Sequence, residues 1–131
     1  MHHAGLESAE WFYNQVSVLD YDIIGLSYYP IWHGTSLSNL QTSMQDLIQI
    51  HNKDIVIAET AYPFTLQWND NTTNIVGLET QLLENYEATE SGQFLFLHDL
   101  ITLVSENNFG LGICYWAPDW ISTEQFGSPW T

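Results

Sequence analysis

Asp54-Ile55-Val56-Ile57-Ala58-Glu59-Thr60-Ala61-Tyr62-Pro63 is the stretch on which the fold turns. A run of apolar, mostly β-branched residues follows Lys53 and Asp54 and stops at a carboxylate. That is how a buried parallel strand reads when it delivers one charged side chain to its carboxyl end. Glu59 then stands either at the mouth of a barrel, where catalytic groups collect, or in solvent at an ordinary strand end.

Two further runs have the same character. Ile23-Ile24-Gly25-Leu26-Ser27-Tyr28 leads into the aromatic loop Tyr29-Pro30-Ile31-Trp32-His33-Gly34, and Leu111 to Trp116 leads into Ala117-Pro118-Asp119-Trp120-Ile121. Helical patterns alternate with the strands. Glu7 to Val18 reads as a short amphipathic helix with Ser8 as a candidate N-cap and Ala9, Trp11, Phe12 and Val16 as its apolar pattern. Leu37, Leu40, Met44, Leu47 and Ile48 recur at spacings of three and four along a helix capped by Thr35 or Ser36 and running to about Asn52. Thr89 or Ser91 caps another, with Phe94, Leu97, Ile101 and Val104 as the expected apolar face and Asn107-Asn108-Phe109-Gly110 at its end. Between them, Phe64 to Thr89 is a long polar stretch of little periodicity, the kind of connection that usually carries function or moves.

Loops at the strand carboxyl ends are longer and more aromatic than the opposite turns, an asymmetry of parallel α/β sheets and of (β/α) barrels above all. Three strands do not close a barrel, which typically takes about 250 residues. The 131 residues therefore read as a segment of one. A small open sheet is the structural alternative, and it would have to cover strand edges that a barrel abolishes.

Composition narrows the chemistry. Hydrophobic residues make up 45% and aromatics 15%, a globular balance. One Lys or Arg faces 16 Asp and Glu, for a formal net charge of -15. Nucleic acid, anionic membrane surfaces and phosphorylated substrates are poor partners for such a chain, whereas a neutral ligand such as a sugar meets no penalty. Cys114 is the single cysteine, which excludes an internal disulfide and suggests an inert buried thiol. Met1-His2-His3-Ala4-Gly5 has neither the basic nor the apolar region of a secretory signal, and no run reaches transmembrane length.

Taken in order and spacing, Asp22-Ile23-Ile24-Gly25-Leu26-Ser27-Tyr28-Tyr29-Pro30, Ile57-Ala58-Glu59-Thr60-Ala61-Tyr62-Pro63 and Gly112-Ile113-Cys114-Tyr115-Trp116-Ala117-Pro118-Asp119-Trp120-Ile121 resemble strands six, seven and eight of glycoside hydrolase family 53. Met1-His2-His3-Ala4-Gly5 resembles the end of that family's fifth strand, which carries a His at about this place. The resemblance implies α/β architecture, a partial (β/α)8 TIM barrel from the end of strand five to strand eight. It also implies an endo-β-1,4-galactanase acting on galactan or type I arabinogalactan with retention, through two glutamates. Glu59 matches the nucleophile. The acid/base glutamate follows an Asn on the fourth strand, upstream of Met1, so activity is expected of the complete protein and not of this segment alone. Retention needs that second carboxyl about 5–5.5 Å from the first, and without general acid help about 10²- to 10⁴-fold is lost.

The sequence departs from the family in two places. Ala117 stands where the family usually has Glu in Tyr-Trp-Glu-Pro, with Asp119 as a nearby substitute. Some bacterial members bind calcium after strand seven, but Trp68-Asn69-Asp70-Asn71-Thr72-Thr73-Asn74 keeps only Asp70 and Asn74, too few for an ion that wants six to eight oxygens. No cofactor and no metal are expected.

Around Glu59, the resemblance and the strand ends mark His2, Tyr28, Trp32, His33, Trp116 and Asp119 as candidate substrate-binding residues. Tyr28 either hydrogen-bonds the carboxylate or the sugar, or is a core tyrosine with a satisfied hydroxyl. Trp116 is an apolar floor under a pyranose ring or plain packing, and Trp32 and His33 are exposed sugar contacts or peripheral packing. Adjacent histidines in a strand point to opposite faces, so only one, His2, is expected at the site. His51 and His98 read as structural. Trp68, Trp120 and Trp130 either extend a sugar groove or anchor loops. The family implies a monomer acting outside the cytoplasm, as a secreted, periplasmic or cell-surface protein. A binding protein on a degenerate barrel, or a retaining glycosidase for another β-glycan, fits the same residues; an upstream Asn-Glu distinguishes enzyme from binder.

Overall fold

The computed structural model describes residues 1–34, 36–68 and 74–116. The order is β1 (His2–Ala4), α1 (Ala9–Gln15), β2 (Ile23–Ser27), α2 (Pro30–His33), α3 (Leu37–His51), β3 (Asp54–Thr60), a 3-10 turn (Glu79–Gln81), α4 (Glu90–Ser105) and β4 (Gly110–Tyr115). The four strands form one parallel sheet in the order β1-β2-β3-β4.

The two faces of the sheet differ. Ile24 and Leu26 of β2 and Ile55 and Ile57 of β3 are fully buried, in one core with Leu40 and Met44 of α3 and Phe96, Leu100 and Val104 of α4. Each such side chain contributes about 1.5–3 kcal/mol on leaving water. Helix α1 touches β1 and α3, and α3 touches α4, so the helices line up along one side in chain order. A doubly wound sheet would reverse its strand order at a switch point and carry helices on both faces. Sequential parallel strands under a single layer of helices are a segment of a (β/α)8 barrel, with the opposite face as the barrel's inner wall.

Helix ends and faces follow from local chemistry. Ser36 accepts a hydrogen bond from the Ser38 amide at the start of α3, and Asn52 closes the helix in the left-handed region at φ 49°; Thr35 lies outside the described residues. Thr89 caps α4 by accepting from the Gly92 amide. The buried face of α4 is Gly92, Phe96, Leu100 and Val104, with Leu97 partly buried, while Phe94 and Ile101 are exposed, contrary to the sequence reading. The cause is Gly92: a Cβ there would fall 1.9 Å from the Glu87 carbonyl oxygen, so the incoming chain presses on the face that carries the glycine. The apolar run at 94–97 supplies residues for either frame.

In α1, Ser8 makes no cap; its hydroxyl pairs with His3 Nε2 at 3.1 Å. Trp11 points to solvent, and Tyr13 takes the core position, its hydroxyl donating to the Gly25 carbonyl at 2.8 Å and receiving the Gly25 amide at 3.1 Å. Cys114 is exposed, not buried: it alternates with Ile113, which packs on the core, and so faces the other way.

Candidate active site

Strict alternation would aim Glu59 the wrong way. Ile55 and Ile57 face the helices, and a side chain two further along belongs to the same side. The strand avoids this with one extra residue. Leu26 pairs with Ile57 and Ser27 with Glu59, one step on β2 for two on β3. On the other side, Ile57 pairs with Ile113 and Thr60 with Tyr115, three steps on β3 for two on β4. Both neighbours therefore see the same bulge at Ala58-Glu59. It turns Glu59 to the inner wall and returns Thr60 to the buried side, where it is fully enclosed. The Thr60 hydroxyl has no hydrogen-bond partner among the described residues.

On the inner wall Glu59 meets two hydroxyls. Ser27 Oγ donates to Oε2 at 3.1 Å and Tyr29 Oη donates to the same oxygen at 3.3 Å. Burial pushes the Tyr29 phenol up, and the Glu59 charge and the hydrogen bond add to it, so the phenol stays a donor. Ser27 is buried, and its oxygen meets His2 Nε2 at 2.8 Å. His3 lies on the other face of β1, its ring stacked on Phe12 at 4.8 Å.

Tyr28 does not reach the carboxylate. It is fully buried and donates to the Gly34 carbonyl at 3.1 Å, so its expected place at the site is corrected to a place in the core. Parity explains this: Tyr28 continues the Ile24-Leu26 side of β2, and Tyr29 continues the Gly25-Ser27 side. Ser27 and Tyr29, which both donate to Glu59, are missing from the sequence candidates, yet the alternation of large apolar with small or polar residues along 24–29 carries the signal.

The remaining candidates surround this centre. Tyr29 packs edge-on against Trp32 at 5.4 Å, and Trp32 is 57% exposed. His33 Nδ1 accepts the Tyr29 amide at 3.0 Å, and burial lowers its pKa. Its ring lies over Gly5, where a Cβ would sit 3.1 Å from the ring and the φ of +91° would strain any residue with a side chain. Trp116 is partly exposed just beyond β4 and donates its amide to the Thr60 carbonyl at 2.8 Å. Asp119, Ala117, Trp120 and Trp130 lie outside the described residues. Trp68 is exposed on the loop after β3. That loop is tied down through Tyr62, which stacks on Phe96 at 4.5 Å and donates to the Tyr86 carbonyl at 2.7 Å.

His51 and His98 both lie on helices, His98 against Asp99 at 3.0 Å. Of the two calcium candidates, Asp70 lies outside the described residues, and Asn74 donates its side-chain nitrogen to the Gln67 carbonyl. Among the described residues no three His, Cys, Asp or Glu gather as a metal-binding group. A groove of about 340 Å³ between α1 and α3, lined by Glu7, Glu10 and Asp46, is on the helix side and shares no residue with the Glu59 cluster.

A carboxylate held among the described residues by two neutral donors on one oxygen, on the inner face of the sheet with aromatics beside it, has the chemistry of a nucleophile toward an electrophilic carbon. Known proteins carry the comparison further. The model of "Glycosyl hydrolase family 53" matches residues 2–131. An arabinogalactan endo-β-1,4-galactanase of Cellvibrio japonicus is 40% identical over 126 residues, 94% of this chain and 33% of that protein. An endo-β-1,4-galactanase of Bacillus subtilis is 36% identical over 104 residues, 79% of this chain and 24% of that one. Among solved structures, the Ignisphaera aggregans GH53 catalytic domain superposes with a TM-score of 0.83 at 35% identity, covering 93% of this chain and 36% of that domain. The chain thus spans about a third of the length of the relatives it matches.

Proposed function

The chain belongs to glycosyl hydrolase family 53, and from that membership we propose that the complete protein is a retaining endo-β-1,4-galactanase with Glu59 as its nucleophile. The observation that carries the reading is the bulge at Ala58-Glu59, which brings the carboxylate to the inner wall under the Ser27 and Tyr29 hydroxyls. Bulges beside active sites re-aim side chains in this way.

Both donors among the described residues meet Oε2, and Oε1 is assigned as the attacking oxygen. It bonds to the anomeric carbon as the glycosidic bond breaks, and a second carboxyl protonates the departing oxygen. Water then attacks the glycosyl ester, giving its proton to that second carboxyl, and Glu59 leaves as carboxylate. The family resemblance assigns the second carboxyl to the fourth strand, outside this chain. The chemistry asks for no cofactor. Galactan or type I arabinogalactan is the substrate class, in keeping with the named activities of the relatives and with a charge that repels anions. A polymer of this size is met outside the cytoplasm, so the complete protein is placed there, as a secreted, periplasmic or cell-surface monomer.

The test is release of reducing ends from β-1,4-galactan by the complete protein and by its Glu59→Gln variant. The variant keeps the shape of the side chain and removes the nucleophile, so turnover should fall by several orders of magnitude with melting unchanged. A folded wild type that releases nothing from galactan overturns the galactanase reading. Glycan binding in that same sample supports the binding protein instead.

A further inference from the structure

We propose that His2 is a positioning residue for Glu59 and acts through Ser27, by directing the one proton of the Ser27 hydroxyl onto the carboxylate. The inference rests on the reading of Glu59 as nucleophile and adds how that nucleophile is aimed.

The three groups come from three adjacent strands. His2 pairs with Gly25, which places its ring beside Ser27 two residues on, and Ser27 pairs with Glu59 at the bulge. The distances are 2.8 Å from His2 Nε2 to Ser27 Oγ and 3.1 Å from Ser27 Oγ to Glu59 Oε2. A serine hydroxyl has a single proton and two lone pairs. Glu59 Oε2 can only accept, so the proton must point there for the second contact to be a bond. The first contact is then satisfied only if His2 Nε2 carries a hydrogen and donates. With Nε2 bare, the ring and the carboxylate would compete for one proton, and whichever lost would face a lone pair. The Nε2–H form of His2 therefore leaves the hydroxyl one good orientation.

The consequence for catalysis is geometric. Ser27 is 1% exposed, so water does not substitute for either partner. Tyr29 holds the same oxygen from a second direction at 3.3 Å. Two converging donors on Oε2 fix the carboxylate rotamer, and a displacement of about 1 Å at such a group costs on the order of 10²-fold. His2 is exposed and distant in sequence, but it decides whether one of those two donors points the right way.

The experiment uses the complete protein with Ser27→Ala, His2→Leu, His2→Gln and the Ser27→Ala/His2→Leu double variant, each checked by melting. Ser27→Ala should lower kcat on galactan about 10- to 100-fold, the scale of one hydrogen bond to a charged group. His2→Leu should lower kcat roughly 10-fold with KM within about twofold, and His2→Gln, which keeps an N–H donor at the same reach, should recover most of it. The double variant should be no worse than Ser27→Ala, because His2 works only through that hydroxyl. Losses that multiply, a loss confined to KM, or a His2→Leu enzyme equal to wild type would each overturn the proposal. A second arm needs no turnover: nitrogen NMR of neutral His2 should show the hydrogen on Nε2, and the Nδ1–H form would overturn the proposal even if galactan is not the substrate. A wild type inactive on galactan with His2 in the Nε2–H form counts against the galactanase reading while supporting this one.

Discussion

Acid should loosen the loop after β2 through a single nitrogen. His33 Nδ1 accepts the Tyr29 amide at 3.0 Å, a bond that exists only while that nitrogen is unprotonated. Burial is the main influence and lowers the His33 pKa; the Ser27 carbonyl and the Glu59 charge oppose it, and His3 assists it. A base lowered in the fold adds stability that is complete above its unfolded value, about 6.5, and is lost as pH falls through the folded value. The bond itself is worth about 1 kcal/mol, and an amide left facing an N–H adds a penalty at the low end of 1–3 kcal/mol because the site is only half-buried. Together these give roughly 1–2 kcal/mol, or about 2–8 °C in Tm for a barrel-sized domain. The assay is thermal melting of the complete protein at pH 8 and pH 5 for wild type, His33→Asn and His33→Leu. Asn sets a carbonyl near the position of Nδ1 that cannot be protonated in this range. Wild type should lose more between the two pH values than His33→Asn does, by about 1–2 kcal/mol. His33→Leu should start about 1 kcal/mol lower at pH 8 and show the shallower slope. His51, lowered by burial, and Asp99, lowered by its bonds to His98 and Tyr86, titrate alike in all three and cancel, while the charge coupling between His3 and His33 is part of the difference. Equal losses in wild type and His33→Asn would refute the reasoning.

Two other outcomes follow from the same geometry. Tyr29→Phe should lower kcat on galactan roughly 10-fold, since its hydroxyl bonds Glu59, whereas Tyr28→Phe should leave kcat within about twofold and cost about 1 kcal/mol in a melt for its lost bond to Gly34; the reverse pattern would contradict the side-chain parity of β2. Thr60→Val should stabilise the protein by about 1 kcal/mol, because it removes a buried hydroxyl that has no partner among the described residues and keeps the β-branched shape. A lower Tm for that variant would mean the hydroxyl is bonded.

Strands β2, β3 and β4 were legible because each is a short apolar run that ends at a polar or aromatic loop, and Glu59 stood out because it ends the strongest of them; β1, with the sequence His2-His3-Ala4, carries no such run and was reached only through the family resemblance. Its direction was not legible. Period two sends Glu59 to the side of Ile55 and Ile57, and only pairing with β2 and β4 shows the extra residue that turns it inward. Tyr28 and Tyr29 are the opposite case, since the alternation of Ile24, Leu26 and Tyr28 with Gly25, Ser27 and Tyr29 was present in the sequence and decides which tyrosine meets the carboxylate. The frame of α4 turned on Gly92, whose meaning depends on a chain segment that touches it from outside the helix. Contacts between elements are what a single sequence states least directly.

The charge imbalance and the site belong to one argument. Lys53 is the chain's one Lys or Arg. Its ammonium donates to the Tyr21 carbonyl and lies 4.5 Å from the Tyr21 ring centre, at the amino end of β3. Glu59 is six residues further along an extended strand, about 20 Å away at ~3.3 Å per residue, or roughly twice the screening length at 0.1 M salt. Burial keeps His33 neutral as well. Among the described residues the groups that hold Glu59 are hydroxyls, which aim the carboxylate without neutralising it as a guanidinium or ammonium would. The transition state of glycoside hydrolysis gathers positive charge on the sugar ring. Under the proposed reading of Glu59 as nucleophile, a carboxylate steadied by the neutral Ser27 and Tyr29 hydroxyls meets that charge with its own undiminished.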